Sequence, residues 1–294
     1  MQSYHDITHD GGSDIIGQVN DLANRTRSRL EGIDHVIAVM SGKGGVGKSS
    51  LTVNLAAALS ETGPVGIVDG DINGPSVGRM TGVRGRLLQR GVRSILPALA
   101  SGPSVIKVMS MDLFLEAETS PVLWDAPTQR DGYAWRGLME AGALREFISD
   151  TEWGKLNYLL VDLPPGSDKL PNLADVLPAV SGAIVVTLPS AVSLGVVGRS
   201  IRMAREMLET PILGLVENMS GYVCPDCGHV DELFPSGEVE RLASEVDVPI
   251  LGSVPFDPLI GACADHGKFY VREHPDRPAA ASIRAIADKL ITLL

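Results

Sequence analysis

The stretch Met40-Ser-Gly-Lys-Gly-Gly-Val-Gly-Lys-Ser-Ser50 decides the fold class of this chain. It follows an apolar, β-branched run typical of a buried strand, and it precedes a helical pattern. Residues Gly42 to Ser49 match G-x-x-x-x-G-K-S, in which glycines let backbone N–H groups turn inward around phosphate oxygens at the start of a helix. In this pattern Lys48 neutralises the β and γ phosphates, and the Ser49 hydroxyl binds Mg²⁺. The stretch predicts a nucleotide-binding loop, because a dinucleotide fingerprint lacks the Lys-Ser pair.

Short apolar runs alternate with helical patterns along the remainder of the chain. This alternation is typical of parallel strands that are joined by helices and buried on both faces. The runs predict strands over residues 35–41, 65–69, 105–110, 158–162, 183–187, 212–216 and 250–252, and helices over 48–61, 141–151, 195–209, 238–245 and 278–294. We therefore expect an α/β fold, a mostly parallel twisted sheet with helices on both faces. Residues 1–32 are predicted to be an N-terminal helical appendage, and residues 33–294 a single domain.

The composition disfavours several classes of protein. Among the 294 residues, 25 are Lys or Arg and 36 are Asp or Glu, so the formal net charge is −11. This balance disfavours nonspecific binding to nucleic acid, which depends on basic side chains. No apolar run reaches the roughly 18 residues of a membrane span, and the first residues lack the pattern of a secretory signal. Three cysteines are too few for a disulfide framework, so we expect a cytoplasmic protein with neither nucleic acid nor membrane as a partner.

Carboxylates follow two of the predicted strands, where open α/β sheets bind their ligands. Asp69 and Asp71 follow the second strand, and Asp162 ends the strand that precedes Leu-Pro-Pro-Gly166. A buried acid without a cation carries a large desolvation cost, so Asp162 is expected to hold Mg²⁺ through a water molecule. Gly166 is expected to donate its N–H to the γ phosphate. Asp71 is either a site residue or a turn residue, whereas Asp69 is expected to support the site.

The sequence Cys224-Pro-Asp-Cys227-Gly-His229 is a C-x-x-C knuckle, whose tight turn lets two thiolates face one metal. An iron–sulfur cluster or a structural zinc takes four ligands, and a symmetric dimer would supply four cysteines. A redox dithiol and a pair of inert thiols are alternative interpretations. His229 is expected to be a loop residue, and Cys263 is expected to be a buried thiol.

The phosphate loop contains a second lysine, Lys43, directly after its first glycine. A solvated loop lysine is one interpretation of this residue. The sequence KGGVGK, however, resembles the deviant Walker A loop of the MinD/ParA group of P-loop ATPases. That resemblance implies a nucleotide-sandwich homodimer in which Lys43 reaches the nucleotide bound by the other subunit.

Further motifs resemble the Mrp/ApbC family of iron–sulfur cluster carrier ATPases. They occur in the family's order from about Ile33 to the C-terminus: GKGGVGKSS at 42–50, DGDINGPS at 69–76, WRGLM at 135–139, DLPPG at 162–166, ENMS at 217–220, CPDCG at 224–228 and LGSVPFD at 251–257. The resemblance implies that Cys224 and Cys227 bind a labile [4Fe-4S] cluster bridged across the homodimer. It further implies delivery of this cluster to apo-proteins under the control of ATP binding and slow, Mg²⁺-dependent ATP hydrolysis.

The resemblance also assigns roles around the nucleotide. Asp71 corresponds to the carboxylate that positions the attacking water near Mg²⁺, and Asn218 to the residue that recognises adenine. The catalytic residues are then Lys43, Lys48 and Asp71; the nucleotide ligands are Gly42, Lys43, Gly44, Gly45, Val46, Gly47, Lys48, Ser49, Ser50, Asp162, Gly166, Asn218 and Pro255; and the Mg²⁺ ligands are Ser49, Asp71 and Asp162.

This chain departs from the family pattern at three places. Ser167-Asp168-Lys169 replaces the usual Thr, Gly and Asp after Pro-Pro-Gly, Leu138 replaces a proline, and Asp125 to Ala134 resembles an insertion in a region, residues 82–136, that is expected to leave the sheet. Two rival functions follow from the same motifs. One is a partitioning or positioning ATPase of the MinD/ParA type, and the other is the same dimeric ATPase with a structural zinc at its cysteines. The amphipathic residues 282–294 hold only one Arg and one Lys, so we expect them to close the core and not to lie on a membrane.

Overall fold

The computed structural model describes residues 24–92, 94–115, 129–166, 180–208, 210–224, 227, 229–234 and 237–294, with the backbone alone at 129–138, 191–192 and 207–208. The strands are β1 Ile33–Ser41, β2 Val65–Asp69, β3 Gln89–Arg90, β4 Ile95–Leu96, β5 Ala98–Leu99, β6 Ile106–Met109, β7 Leu156–Asp162, β8 Gly182–Thr187, β9 Ile212–Val223, β10 Val230–Glu232 and β11 Ile250–Phe256. The helices are α1 Lys48–Leu59, α2 Val77–Met80, α3 Gln129–Asp150, α4 Ala191–Leu208, α5 Glu238–Val246, α6 Pro258–Asp265, α7 Tyr270–Glu273 and α8 Pro278–Leu293, and residues 24–30 are also helical.

Most of the strands form one twisted sheet in the order β10-β9-β8-β1-β7-β2-β6-β5, with β11 also paired to β9. The central pairs are parallel, and so are β8 with β9 and β9 with β11. Antiparallel pairs occur only at the two ends of the described sheet, where β10 meets β9 and β5 meets β6. The predicted α/β class with a mostly parallel sheet is confirmed.

The direction of the connections reverses in the middle of the sheet. The chain runs from β1 through α1 to β2 in one direction, and from β6 through α3 to β7 and from β8 through α4 to β9 in the other. Because parallel crossovers are right-handed, opposite directions place helices on opposite faces. The connections that leave β1 and β7, which are neighbours in the sheet, run in opposite directions. At such a switch point a crevice opens at the carboxyl ends of the two strands. The phosphate loop follows β1, and Asp162 ends β7.

The core is built on strands whose residues are buried along their whole length, as parallel strands covered on both faces require. β2 and β8 have no exposed residue. Helix α1 is buried from Leu51 to Leu59, because the sheet covers one side and α8 covers another. In α8 the apolar side chains Ile283, Ile286 and Leu290 are buried. Residues 282–294 therefore close the core, as expected.

The structure corrects several boundaries. Helix α3 begins at residue 129 and not at the predicted residue 141. The sequence does not predict its first half, because this half contains glycine, charged residues and no apolar periodicity. The part of the predicted insertion that is described, residues 129–134, is therefore helical. β9 and β11 continue beyond residues 216 and 252, through polar residues and through a proline that end the apolar runs. The pattern does not predict β10, α6, α7 or the short strands β3, β4 and β5.

Two further predictions concern the ends of the domain and the membrane. Residues 24–30 pack on the domain, with Leu30 in its core, while residues 1–23 lie outside the described part of the chain, as do Ser167-Asp168-Lys169 and residues 125–128. The bounds 1–32 and 33–294 remain a prediction. In the described part of the chain, no helix combines the length and the apolar character that crossing a membrane requires.

Candidate functional site

The phosphate loop joins β1 to α1 and depends on glycine at two positions. Gly45 and Gly47 have φ angles of 77° and 78°, in the left-handed region that side chains disfavour. A Cβ atom at residue 47 would lie 2.3 Å from Nδ2 of Asn218, so only glycine allows this close approach. Gly47 is also the N-cap of α1, whose first N–H groups carry a partial positive charge. The loop thus has the backbone that an anion-binding helix start requires.

Lys48 and Asp162 form a buried ion pair at the switch point. Lys48 Nζ lies 2.7 Å from Asp162 Oδ1, and the side chains are 7% and 0% exposed. The hydroxyl groups of Ser49 and Thr52 donate to the same carboxylate over 2.5 Å and 2.9 Å. A buried charge with one partner removed is strongly destabilising, so the contacts of Asp162 hold the first turn of α1 against the end of β7.

A second buried carboxylate, Asp69, lies opposite Asp162 on the adjacent strand. Its oxygens accept hydrogen bonds from the Ser110 hydroxyl and from the backbone N–H groups of Asp71, Ser76 and Val77. Burial, and then the charge of Asp162, raise the pKa of Asp69 to about 7, against the opposing hydrogen bonds. Asp69 therefore organises the loop that carries Asp71, which is the supporting role expected of it.

The loop after β2 brings Asp71 to the phosphate side of the site. Asp71 lines a cleft of about 200 Å³ together with the phosphate loop, Ser76 and Pro165. Asp71 Oδ1 accepts a hydrogen bond of 3.3 Å from the backbone N–H of Gly74, and the nearby Asn73 donates to Glu140 on α3. The turn geometry and the proximity to the phosphate loop are therefore both present, so the two interpretations of this residue are compatible.

The other loop of the cleft follows β7. Gly166 donates its N–H to the carbonyl oxygen of Ser41 over 3.2 Å. If Gly166 is to donate its N–H to a phosphate, as expected, this N–H must therefore leave the Ser41 carbonyl oxygen for a phosphate oxygen. Lys43 is half-buried and has no ion pair with any carboxylate in the described part of the chain.

A second cavity, of about 150 Å³, continues from the phosphate loop along α1. It shares Gly47 and Ser50 with the phosphate cleft, and its walls include Asn218, Pro255 and Phe256. Asn218 donates from Nδ2 to the carbonyl oxygen of Val46 over 2.8 Å, which leaves its Oδ1 for other donors. The structure thus brings residues 43–50 of the phosphate loop and the distant residues Asn218 and Pro255 beside one continuous cavity.

The cysteine knuckle lies at the far end of β9, away from the phosphate loop. Cys224 directly follows β9, and its backbone N–H donates to the carbonyl oxygen of His229 over 2.8 Å, which extends the pairing of β9 with β10 by one residue pair. Cys227 is exposed, and His229 pairs with Asp231 over 3.4 Å, as an ordinary loop residue does. Cys263 is buried, and burial raises the pKa of its thiol. Within the described residues, no group of three or more metal-ligating side chains occurs.

Some supporting residues carry no motif, so the sequence pattern does not predict them. Thr52 donates to both Asp162 and the Lys48 carbonyl, Asn54 accepts from the backbone of Val271 and lines the second cavity, and Ser110 donates to Asp69. The helical period could have identified Thr52, which lies one turn after Lys48. Ser110 and Asn54 act through contacts distant in sequence.

A glycine loop at the switch point, a lysine at its end and carboxylates on two neighbouring strands define a P-loop NTPase. Solved structures agree: MinD of Aquifex aeolicus superposes with a TM-score of 0.60 at 22% identity, covering 88% of this chain and 97% of that one. A nucleotide-binding protein of Archaeoglobus fulgidus in complex with ADP gives a TM-score of 0.71 at 33% identity, covering 87% and 94%. At 22% identity, the similarity to MinD concerns the fold alone.

Sequence comparison identifies the family within this class. The model of the family described as "ParA: NUBPL iron-transfer P-loop NTPase" matches residues 32–291. An iron-sulfur cluster carrier protein of Saccharolobus solfataricus is 41% identical over 279 residues, 94% of this chain and 90% of that protein. The cytosolic Fe-S cluster assembly factor NUBP2 of Bos taurus is 40% identical over 267 residues, 90% and 94% of the two chains. The chain belongs to the NUBPL iron-transfer family of P-loop NTPases, which confirms the predicted resemblance.

The buried ion pair makes a prediction about stability. Lys48→Met leaves the Asp162 carboxylate buried without its cation, so the free energy of unfolding should fall by about 3 kcal/mol. The double variant Lys48→Met with Asp162→Asn should recover more than half of this loss. Urea titrations followed by circular dichroism measure both values.

A matched control uses an exposed ion pair. Arg241 contacts Glu238 over 2.8 Å with its side chain 62% exposed, so Arg241→Met should cost no more than about 1 kcal/mol. Equal losses in Lys48→Met and in the double variant would contradict the coupling of Lys48 and Asp162.

Proposed function

We propose that this protein is an ATP-dependent iron–sulfur cluster carrier. As a homodimer it binds a bridging [4Fe-4S] cluster and transfers it to apo-proteins in the cytoplasm, with ATP binding and hydrolysis as the switch. The observation that carries the proposal is the combination, in one chain, of a continuous nucleotide site and a separate cysteine knuckle at the end of β9. Members of the family with 40% and 41% identity are named as a cytosolic Fe-S assembly factor and a cluster carrier. A positioning ATPase has no need of the knuckle, so this rival is disfavoured.

The proposed hydrolysis uses positioning and charge, because phosphoryl transfer to water needs little covalent participation by the protein. The phosphate loop and the N-terminus of α1 hold the phosphate oxygens. Lys48, buried beside this loop, exchanges its contact with Asp162 for the β and γ phosphates. Asp71 orients the attacking water, and Asp69 fixes the backbone of the Asp71 loop through the N–H groups of Asp71, Ser76 and Val77. Turnover is slow, as suits a switch.

The donor set around Asp162 fits Mg²⁺, which prefers oxygen ligands. The Ser49 hydroxyl and the Asp162 carboxylate are 2.5 Å apart, and Asp71 lines the same cleft. Asp69 and Asp162 are buried on adjacent strands, Lys48 pairs with Asp162, and the charge of Asp162 raises the pKa of Asp69, so a further cation is favoured electrostatically. Ser49, Asp71 and Asp162 are the proposed ligands, directly or through water. When bound, Mg²⁺ neutralises charge on the β and γ phosphate oxygens.

The proposed cargo site depends on the dimer. Each chain offers Cys224 and Cys227, and two chains related by a two-fold axis offer the four thiolates that a [4Fe-4S] cluster requires. The position of the pair at the end of β9, with Cys227 exposed, suits a cluster that is handed to another protein. A structural zinc would use the same four thiolates. Reconstitution with iron and sulfide distinguishes zinc from a [4Fe-4S] cluster.

Lys43 should act in the active site of the other subunit, and mixed dimers test this. Lys43→Gln and Asp71→Asn should each lower ATP hydrolysis at least about 100-fold, because each removes one group from every site. In an equal mixture after subunit exchange, half of the dimers are mixed, and each mixed dimer has one site with both groups. Hydrolysis should therefore recover to about one quarter of the wild-type rate.

Phosphate release assays on the separate and the mixed variants measure this recovery. Lys155→Gln, which changes an exposed cation at the opposite end of β7 from Asp162, provides the matched control and should leave the rate unchanged. No recovery on mixing, with exchange verified by mass spectrometry, would mean that Lys43 acts within its own subunit.

The cysteine pair should determine the cargo. After anaerobic reconstitution with iron and sulfide, wild-type protein should hold one cluster per two chains, with visible absorbance and the Mössbauer spectrum of a [4Fe-4S] centre. Cys224→Ala and Cys227→Ala should lose this signal. Cys263→Ala, at the buried thiol, should keep it. A colourless protein with one tightly bound zinc per dimer would remove the carrier hypothesis.

A further inference from the structure

A cleft of about 1190 Å³ lies on the opposite side of the domain from the nucleotide site. Its walls include Gly32 and Lys155, which directly precede β1 and β7, and Lys107 on β6. The strands are parallel, so the amino ends that border the cleft are separated from the carboxyl ends that border the phosphate loop by the length of the strands. A molecule in this cleft would leave the nucleotide site accessible.

The cleft is positively charged although the chain has a net charge of −11. Four cations, Arg29, Arg86, Lys107 and Lys155, line it, against one carboxylate, Glu152. Among the described residues, none of these four forms an ion pair. The charge of the cleft therefore remains largely uncompensated within the part of the chain that the structure describes.

The hydrogen bonds of these cations support the same conclusion. Arg29 donates to the carbonyl oxygen of Ser149 over 3.0 Å, and Arg86 donates to that of Leu99 over 2.5 Å. Lys107 donates to the carbonyl of Trp153, and burial lowers its pKa. All three acceptors are neutral, so they position the side chains without cancelling their charge. An anionic group in the cleft would cancel it.

Apolar side chains lie between the cations. Leu87 is 95% exposed and Leu99 is 53% exposed, and Leu96 and Pro97 also line the cleft. In addition, β5 is the last strand at this end of the described sheet. Such an edge can lie alongside an extended segment of another chain.

The arrangement disfavours other anions. The four cations belong to separate segments of the chain, namely the helix at 24–30, the loop before β3, strand β6 and the turn before β7, which suits carboxylates spaced along an extended chain. Single-stranded nucleic acid is commonly bound by stacking of its bases on accessible aromatic rings, and the aromatic residue of this lining, Trp153, is 0% exposed.

We propose that this cleft binds an extended, acidic segment of a partner protein that carries apolar side chains between its carboxylates. The segment places its carboxylates beside Arg29, Lys107 and Lys155, and its apolar side chains on Leu87 and Leu99. The outer edge of the cleft, β5, lies about 30 Å across the sheet from β9, the strand that leads to Cys224, since six strand spacings separate the two strands. The cleft would thus be a docking site separate from the phosphate loop. This proposal does not rest on the proposed function.

A selection from random dodecapeptides displayed on phage, made on the full chain, tests the proposal. The selected peptides should be rich in Asp and Glu interspersed with Leu, Ile or Phe. By fluorescence anisotropy, their affinity should fall about fivefold in Lys155→Glu and about tenfold in Leu87→Ser. Both residues are exposed, so thermal unfolding should remain as in the wild type.

Matched controls change equally exposed residues elsewhere. Arg199→Glu on α4 and Leu293→Ser at the end of α8 should leave peptide affinity unchanged, and added salt should weaken binding to the wild type. Selection of basic or uncharged peptides would overturn the proposal. So would equal affinity for Lys155→Glu and Arg199→Glu, or displacement of the peptide by oligouridylate or polyphosphate at lower concentration than by an unlabelled acidic peptide.

Discussion

The buried contact between Lys48 and Asp162 is the constraint on which the nucleotide site depends. A lysine and a carboxylate can be buried together only if each compensates the other, and here the Ser49 and Thr52 hydroxyls complete the carboxylate's hydrogen bonds. The pair joins the start of α1 to the end of β7, the two elements that flank the switch point. It thereby fixes the start of α1 beside the crevice and places a cation next to the phosphate loop.

The rest of the site is arranged around this contact in two directions. On the β2 side, Asp69 fixes the Asp71 loop through backbone N–H groups, and its pKa of about 7 reflects the burial of two neighbouring acids. On the β9 side, Asn218 packs against Gly47 and lines the second cavity. β9 then continues to Val223, directly before the first cysteine of the knuckle. One strand thus links the residue beside the phosphate loop to the proposed cargo site, which gives a physical route for nucleotide to influence the cysteines.

Much of this arrangement could be predicted from the sequence, because local patterns carry it. The phosphate loop, the strand before it and the acid that ends β7 are fixed by glycine spacing and by apolar runs. The extension of β9 and β11 could not be predicted, since these strands continue through polar residues and through Pro255 and are held by pairing with distant segments. Ser110, Asn54 and the cleft lined by Lys107 and Lys155 are likewise products of tertiary contacts. The roles assigned to Lys43, Asp71 and Asn218 derive from family resemblance, and the geometry is compatible with them.

The central claim is that nucleotide at the phosphate loop controls a cluster held at the cysteines. The most direct test is the rate of cluster transfer from the reconstituted dimer to an apo-protein that takes up a [4Fe-4S] cluster, measured by circular dichroism with ATP, with ADP and without nucleotide. The account predicts rates that differ at least about fivefold between nucleotide states in the wild type, and no such difference in Lys43→Gln. Equal rates in all three states of the wild type would contradict it.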